Sequence, residues 1–536
     1  VYIMVKWIVR WCKKSCTLGI VFLLINCVVA QSQSENINLY IKYKAVPYSH
    51  SLTGAAFSHS PKKVTKLASN IEVIQLELKN ISPNSHFTAH YGASKEAFDT
   101  ARTMKQQYQN IAFVIPKEAK VTSFTTGENV LFYDDHWHIH NSSSSGVNAV
   151  NAWSFLTTNE NTVNIGVLDS GLALYSPTDI LSKSITDSYY FYVDGDGDVT
   201  VSSNIYDNGP FYHGTHVAGI AAANGPNVTG VAGGVDNINI LPVKVLNDGG
   251  SGHLTSIHNG ILWAAGIFDS TLQSISGLTQ NANPAKVINL SLGASRFDSF
   301  GNEVASESYW KTVLLPAYCD VFSDAINQVT ALNVTVVIAA GNDGNELWND
   351  APGGCQNIDA VVVEASNQAG ALASYSTYYN AESWTVTSLV VRAPGGDNIS
   401  TDITEAILST GSCTSENVCS YTYKQGTSMA APHISGIVAM IYAKRPTATV
   451  DYVQSILSQA NWSGSTIINA QEALRLATLT AVPEESSEEN TTPQTEETNT
   501  ASGDSSGGGG GGAGAGAAVA AGAGALAAAV AAVLIW

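Results

Sequence analysis

The sequence predicts an α/β fold built on a mostly parallel central sheet with helices on both faces. Short, mainly apolar runs at 163–168, 238–246, 287–290 and 334–340 have the length and the Val/Ile/Leu content of strands buried on both sides. Between or after them lie stretches of helical character at 213–223, 255–265, 321–332 and 428–443. Buried strands alternating with helices are the pattern of a parallel sheet covered on each face. Size and composition agree: 536 residues, 45% apolar and only 13% charged, suffice for a large core and exclude a disordered chain.

The segments follow in order. Lys6, Arg10, Lys13 and Lys14 precede the apolar run 18–29, and Val28-Val29-Ala30 offers small residues for cleavage, so 1–30 reads as a secretory signal. Three cysteines (Cys12, Cys16 and Cys27) leave with it, and Cys319, Cys355, Cys413 and Cys419 remain. An even number in an oxidising destination predicts two disulfides in a secreted or cell-surface protein. Residues 31–132 form a separate small α/β domain, with strands at 71–78 and 111–115 and a helix marked by Ala97, Phe98, Ala101, Met104 and Tyr108. Residues 133–480 carry the large domain. After it come an acidic Ser/Thr/Pro linker, 481–506, and a tail, 507–536, that opens on six glycines and continues uncharged and Ala-rich.

The net charge is −19, which argues against a nucleic-acid partner. That figure divides unevenly. Residues 31–132 hold 11 basic and 7 acidic side chains, whereas 133–482 hold 10 basic and 30 acidic ones. Opposite signs favour docking of the two parts.

Three segments carry chemistry. Val167-Leu168-Asp169-Ser170-Gly171 ends a strand on a carboxylate, His213-Gly214-Thr215-His216 opens a helix with an imidazole, and Gly426-Thr427-Ser428-Met429-Ala430 starts another helix with a hydroxyl. A serine hydroxyl is a weak nucleophile and needs a base of pKa near neutral, which in turn needs a carboxylate to fix its tautomer. Their chain order, Asp then His then Ser, differs from that of chymotrypsin-like and α/β-hydrolase triads.

With these three blocks, residues 133–480 resemble the subtilases, the subtilisin-like serine proteases. The resemblance implies a secreted endopeptidase with Asp169, His213 and Ser428 as triad and His216 as a structural residue. Asn342, in Ala339-Ala340-Gly341-Asn342-Asp343-Gly344, is similar to the family's oxyanion donor. Gly250-Ser251-Gly252 and Ser291-Leu292-Gly293 resemble the two backbone edges that clamp an extended peptide. The primary side-chain pocket is then lined by Ser291, Leu292, Gly293, Ala340 and Gly341. With no acid evident there, broad specificity with an apolar preference is expected. The resemblance also implies a disulfide Cys319–Cys355, and Cys413 and Cys419, six residues apart just before the Ser428 block, are expected to staple a hairpin. It makes residues 31–132 an inhibitory propeptide cut off near 128–135, and makes the tail a Gram-negative sorting segment that anchors transiently to a membrane. Competing readings are a selective maturation protease and a catalytically silent surface binding protein.

Catalysis needs no cofactor, but structural calcium is expected from the family. Asp194, Asp196 and Asp198 alternate along a short loop and are the candidate ligands, although Val199 and Ile205 depart from an EF-hand. His136, His138 and His140 on one strand face would suit zinc, while the resemblance suggests the ordinary start of the catalytic domain.

Overall fold

The computed structural model describes residues 33–480 apart from 44–62, 69–70, 82–92, 108–110, 118, 124–125, 131–135, 141–144, 158–159, 174–177, 226–227 and 416–417. The expected signal, linker, Gly-rich tail and the position of Tyr108 lie outside the described residues. The small domain comprises β1 (Gln33–Tyr43), β2 (Lys63–Ala68), β3 (Ile71–Ile81), helix α1 (Lys95–Gln107) and β4 (Ile111–Pro116). Its strands pair antiparallel in the order β2-β3-β1-β4. Ala97, Phe98, Ala101 and Met104 of α1 are buried, as their helical spacing predicts. Two further strands follow, β5 (Lys120–Ser123) and β6 (Thr126–Val130), and neither joins this sheet.

The elements that frame the large domain begin with β7 (Val163–Asp169), β8 (Tyr190–Val193), β9 (Val199–Ser202), α2 (His213–Ala222), β10 (Ile238–Lys244) and β11 (Ser251–His253). Next come α3 (Leu254–Ala264), β12 (Val287–Leu290), β13 (Leu292–Ser295), α4 (Leu315–Thr330), β14 (Thr335–Ala339) and β15 (Asp350–Ala351). The last are β16 (Val361–Ser366), β17 (Leu389–Pro394), β18 (Ile407–Ser415), β19 (Val418–Gln425), α5 (Thr427–Lys444), α6 (Val450–Gln459) and α7 (Ala470–Leu479). Eight strands form the central sheet in the order β9-β8-β10-β7-β12-β14-β16-β17. All neighbours are parallel except β9 on β8. The four apolar runs are β7, β10, β12 and β14, side by side at its centre. One hydrophobic core lies under α3 and α4 and the other under α2, α5 and α7.

Helix α4 starts before the expected 321. It continues from a helical turn at Glu307–Tyr309 and a π-helical turn at Trp310–Leu314, and Pro316 follows directly on that π-turn. Cys319 on this helix is bridged to Cys355. Cys413 and Cys419 face each other across the β18–β19 hairpin in backbone register, and their side chains lie outside the described residues.

Residues 136–140 do not form a strand. Amides of Ile139 and His140 both donate to the His136 carbonyl, closing a turn in which the His136 ring lies 5.9 Å from that of His138 and 6.4 Å from that of His140. His433 Nδ1 donates to Met429 O (2.8 Å), which leaves its Nε2 to accept from His138 Nδ1 (2.8 Å). His216 is held by Thr422 O at 2.9 Å, a structural role as the resemblance implies. These three rings are buried neutral. Burial pushes His433 down to about 3, and burial puts His138 and His216 well below the ordinary imidazole value, with His433 and Lys424 adding to it respectively.

Two outcomes follow from this architecture. Replacing Cys319 and Cys355 by Ala should lower unfolding free energy in urea by about 2–4 kcal/mol, from loop closure in the unfolded chain. The unfolded histidines bind protons below about pH 6.5 while the folded ones do not. Stability should therefore be full above that pH and fall as pH drops, with a slope of up to about 1.4 kcal/mol per pH unit for each histidine. Urea melts across that range measure it.

Candidate active site

Asp169 is the last residue of β7 and His213 the first of α2. They meet because Gly214 has no side chain: a Cβ there would lie 2.3 Å from the Gly171 carbonyl and 3.1 Å from the Asp169 Cβ. His213 Nδ1 donates to Asp169 Oδ1 and Oδ2 at 2.7 and 2.9 Å. Asp169 also accepts from the Ser170 amide at 2.6 Å. Both residues are buried, which makes the pair strong and fixes the tautomer with a bare Nε2. That Nε2 is buried and has no hydrogen-bond partner among the described residues.

A supporting layer holds the pair. Ser170 Oγ accepts from the Gly214 amide (3.0 Å) and donates to Asp207 Oδ2 (2.5 Å), while Lys244 Nζ reaches the Ser170 carbonyl at 2.6 Å. Burial raises the Asp207 carboxyl above its ordinary value, against the opposing pull of Ser170 and Lys244. Lys424 is buried nearby. Burial brings it down to about 8, partly offset by Asp207 and Asp169. Nothing in the motif blocks marks Asp207 or Lys424, since they come from a connecting loop and from β19.

Ser428 is the second residue of α5, the helix that packs against α2. Its Oγ donates to Ser291 O at 3.1 Å, and Ser291 Oγ donates to Ser428 O at 2.9 Å. Asn342 Oδ1 accepts from both the amide and the hydroxyl of Thr427 at 2.9 Å. With its oxygen committed, the amide's NH2 is the end left to donate. The Gly341 amide bonds the same Thr427 hydroxyl at 3.1 Å. Thr427 is thus the clamp between the Asn342 loop and the nucleophile helix, a role its place in a motif did not announce.

The cleft beside these residues is filled by the chain itself. Strand β5 lies antiparallel between β11 and β13, with Ser251 opposite Thr122, Gly252 opposite Val121, Leu292 opposite Ser123 and Gly293 opposite Thr122. Strand β6 then pairs with β19, Thr126 opposite Gln425. Gly250, in the turn before β11, and Ala340, after β14, flank this arrangement. The small domain is anchored by Lys42–Asp324 (2.6 Å), Lys117–Asp198 (2.7 Å) and Lys105–Asp320 ion pairs. Burial would raise Asp324, but His258 and Lys42 beside it bring it down to about 2.

Two expectations need correction. The pocket walls were read as free of acids, yet the Asp350 carboxyl lies against Gly341, within 2.7 Å of where a Cβ would stand. Strand β15, paired with β13, carries it there. The loop of Asp194, Asp196 and Asp198 does not fit a metal. Asp194 Oδ1 caps the turn by accepting from the amides of Asp196 and Asp198, and Asp198 is taken by Lys117. Among the described residues no cluster of three His, Cys, Asp or Glu is arranged to hold a metal ion.

Known proteins show the same frame. The chain is 33% identical to an extracellular protease of Xanthomonas campestris, over 62% of this chain and 54% of that protein, so it spans about half the length of that relative. It is 31% identical to subtilisin DY of Bacillus licheniformis over 55% of this chain and 82% of the relative. Among solved structures, one titled as proteases from Pseudoalteromonas arctica matches with a TM-score of 0.50 at 31% identity, over 66% of this chain and 100% of that one. The family description that fits, the subtilase family, covers residues 160–503. Matched over more than half its length on this frame, the chain belongs to the subtilase family.

Proposed function

We propose that this chain is a secreted serine endopeptidase made as a self-processing precursor. The observation that carries the reading is β5, an extended segment held by backbone pairing on both edges beside Ser428 and the Asp169–His213 pair. Peptide recognition by strand addition depends on main-chain groups and so tolerates many sequences. This supports tolerance of many sequences along the strand, and it leaves selectivity to the primary side-chain pocket.

In this mechanism Ser428 Oγ attacks the carbonyl of the bound strand as His213 Nε2 takes its proton. His213 then returns the proton to the leaving amine, and water repeats the cycle on the acyl-enzyme. Asp169 stabilises the imidazolium. The oxyanion is met by the Ser428 amide at the start of α5 and by the Asn342 side chain.

Register also names the bond cut in maturation. On the near side Ser123 stands opposite Leu292, the neighbour of Ser291, whose carbonyl accepts from Ser428 Oγ. On the far side Thr126 stands opposite Gln425, three residues before the nucleophile. We place the cut at Phe124–Thr125, between these two paired positions and upstream of the expected 128–135. The small domain, left docked through its lysines, would then inhibit the new enzyme until it is released.

The full chain and its Ser428→Ala variant, followed by mass spectrometry and casein hydrolysis, test the reading. Wild type should split in two and degrade casein. A self-processing Ser428→Ala protein would sink the mechanism. Asn342→Ala should lower kcat by about 10²–10³, the cost established for the corresponding donor of a subtilisin, with KM little changed.

A further inference from the structure

We propose that Asp350, with Asp343 beside it, closes the far end of the primary pocket and selects a cationic side chain, Lys or Arg, before the scissile bond. This rests on the endopeptidase reading and specifies its substrate. Strand β15 runs along the edge of β13 opposite to β5, Asp350 facing Ser295 in register. Gly341, at φ 118°, leaves the space that lets the Asp350 carboxyl press against the pocket wall. Asp350 Oδ2 accepts from Thr377 Oγ1 at 3.0 Å, its Oδ1 is buried, and the carboxyl is also in side-chain hydrogen-bond contact with Ser295 and Asp343. Asp343 accepts from Ser295 Oγ.

Neither carboxyl makes an ion pair among the described residues. Arg296, the cation on the adjoining segment, is engaged with Glu303 (3.0 Å) and Asn349 (2.8 Å), and the other charge facing the pair is the acid Asp298. A buried acid without a cation stays protonated or takes its counter-charge from a ligand. Burial, then the charge of Asp343, hold Asp350 well above the ordinary carboxyl range, and burial raises Asp343 to about 6. The tip of a Lys or Arg before the cut would supply the missing charge. Phe124 need not be the preferred residue. Within one chain the docked small domain holds the bond in place, and an intramolecular cut gains from positioning what the side chain lacks.

The test uses mature enzyme and two peptides differing only in Lys or Met before the cut. The ratio of their kcat/KM cancels every pH effect common to the two peptides. Raising pH from about 5 to about 8 removes the proton from Asp343 and creates the negative charge, so the Lys-to-Met ratio should rise about tenfold or more. Asp350→Asn should lower that ratio at about pH 8 by at least about tenfold. A ratio in the wild type that is flat across this range overturns the inference while leaving the protease intact, and needs no variant to mature. An unmoved ratio in Asp350→Asn overturns it equally. No hydrolysis of either peptide by wild type overturns the endopeptidase reading and this one with it.

Discussion

The structure depends on a constraint of backbone geometry: β11 and β13 each present an open edge to one cleft, and both edges are paired by β5. Unpaired amides and carbonyls at such edges demand partners, and any extended chain supplies them. The central sheet sets the cleft's position. β10 leads into β11 and β12 into β13, so the two clamping edges are continuations of two core strands. β7, lying between β10 and β12, ends on Asp169. Helix α5 brings Ser428 to the same end through its contact with Ser291. In the proposed endopeptidase, the geometry that would capture a peptide also aligns the nucleophile with it.

Charge works on a longer scale. The small domain is basic and the large one acidic, and the imbalance is resolved into a few contacts, of which Lys42–Asp324 is the most enclosed. Exposed pairs of this kind each contribute little, about 0–1 kcal/mol, whereas partly buried ones backed by a second donor such as His258 hold more firmly. Their effect is orientation: they fix the small domain so that residues 120–123 enter the cleft in one register.

Much of this was legible in the sequence for local reasons. Asp169, His213, Ser428 and Asn342 sit in short blocks where a strand end, a helix start or a turn dictates the residue types around them. The four apolar runs announced the sheet centre because strands buried on both faces admit little else. Strands β16 and β17 went unrecognised, though Val361-Val362-Val363 carries the same signal. β5 was illegible for a physical reason: Lys120–Ser123 has no buried pattern of its own, and its partners are in another domain. Asp350 was missed likewise, since only the β13–β15 pairing brings it to Gly341. The His136–His140 segment looked like a strand by alternation alone, but its amides close a turn.

The central claim is that residues 120–123 lie in the cleft as a substrate does. It is tested most directly by the first residue of the mature protein, read by N-terminal sequencing of the wild-type chain as it first splits. The account predicts Thr125. A first cut that depends on Ser428 but falls outside residues 123–126 would contradict it, because no register of β5 between β11 and β13 would then deliver that bond to the serine.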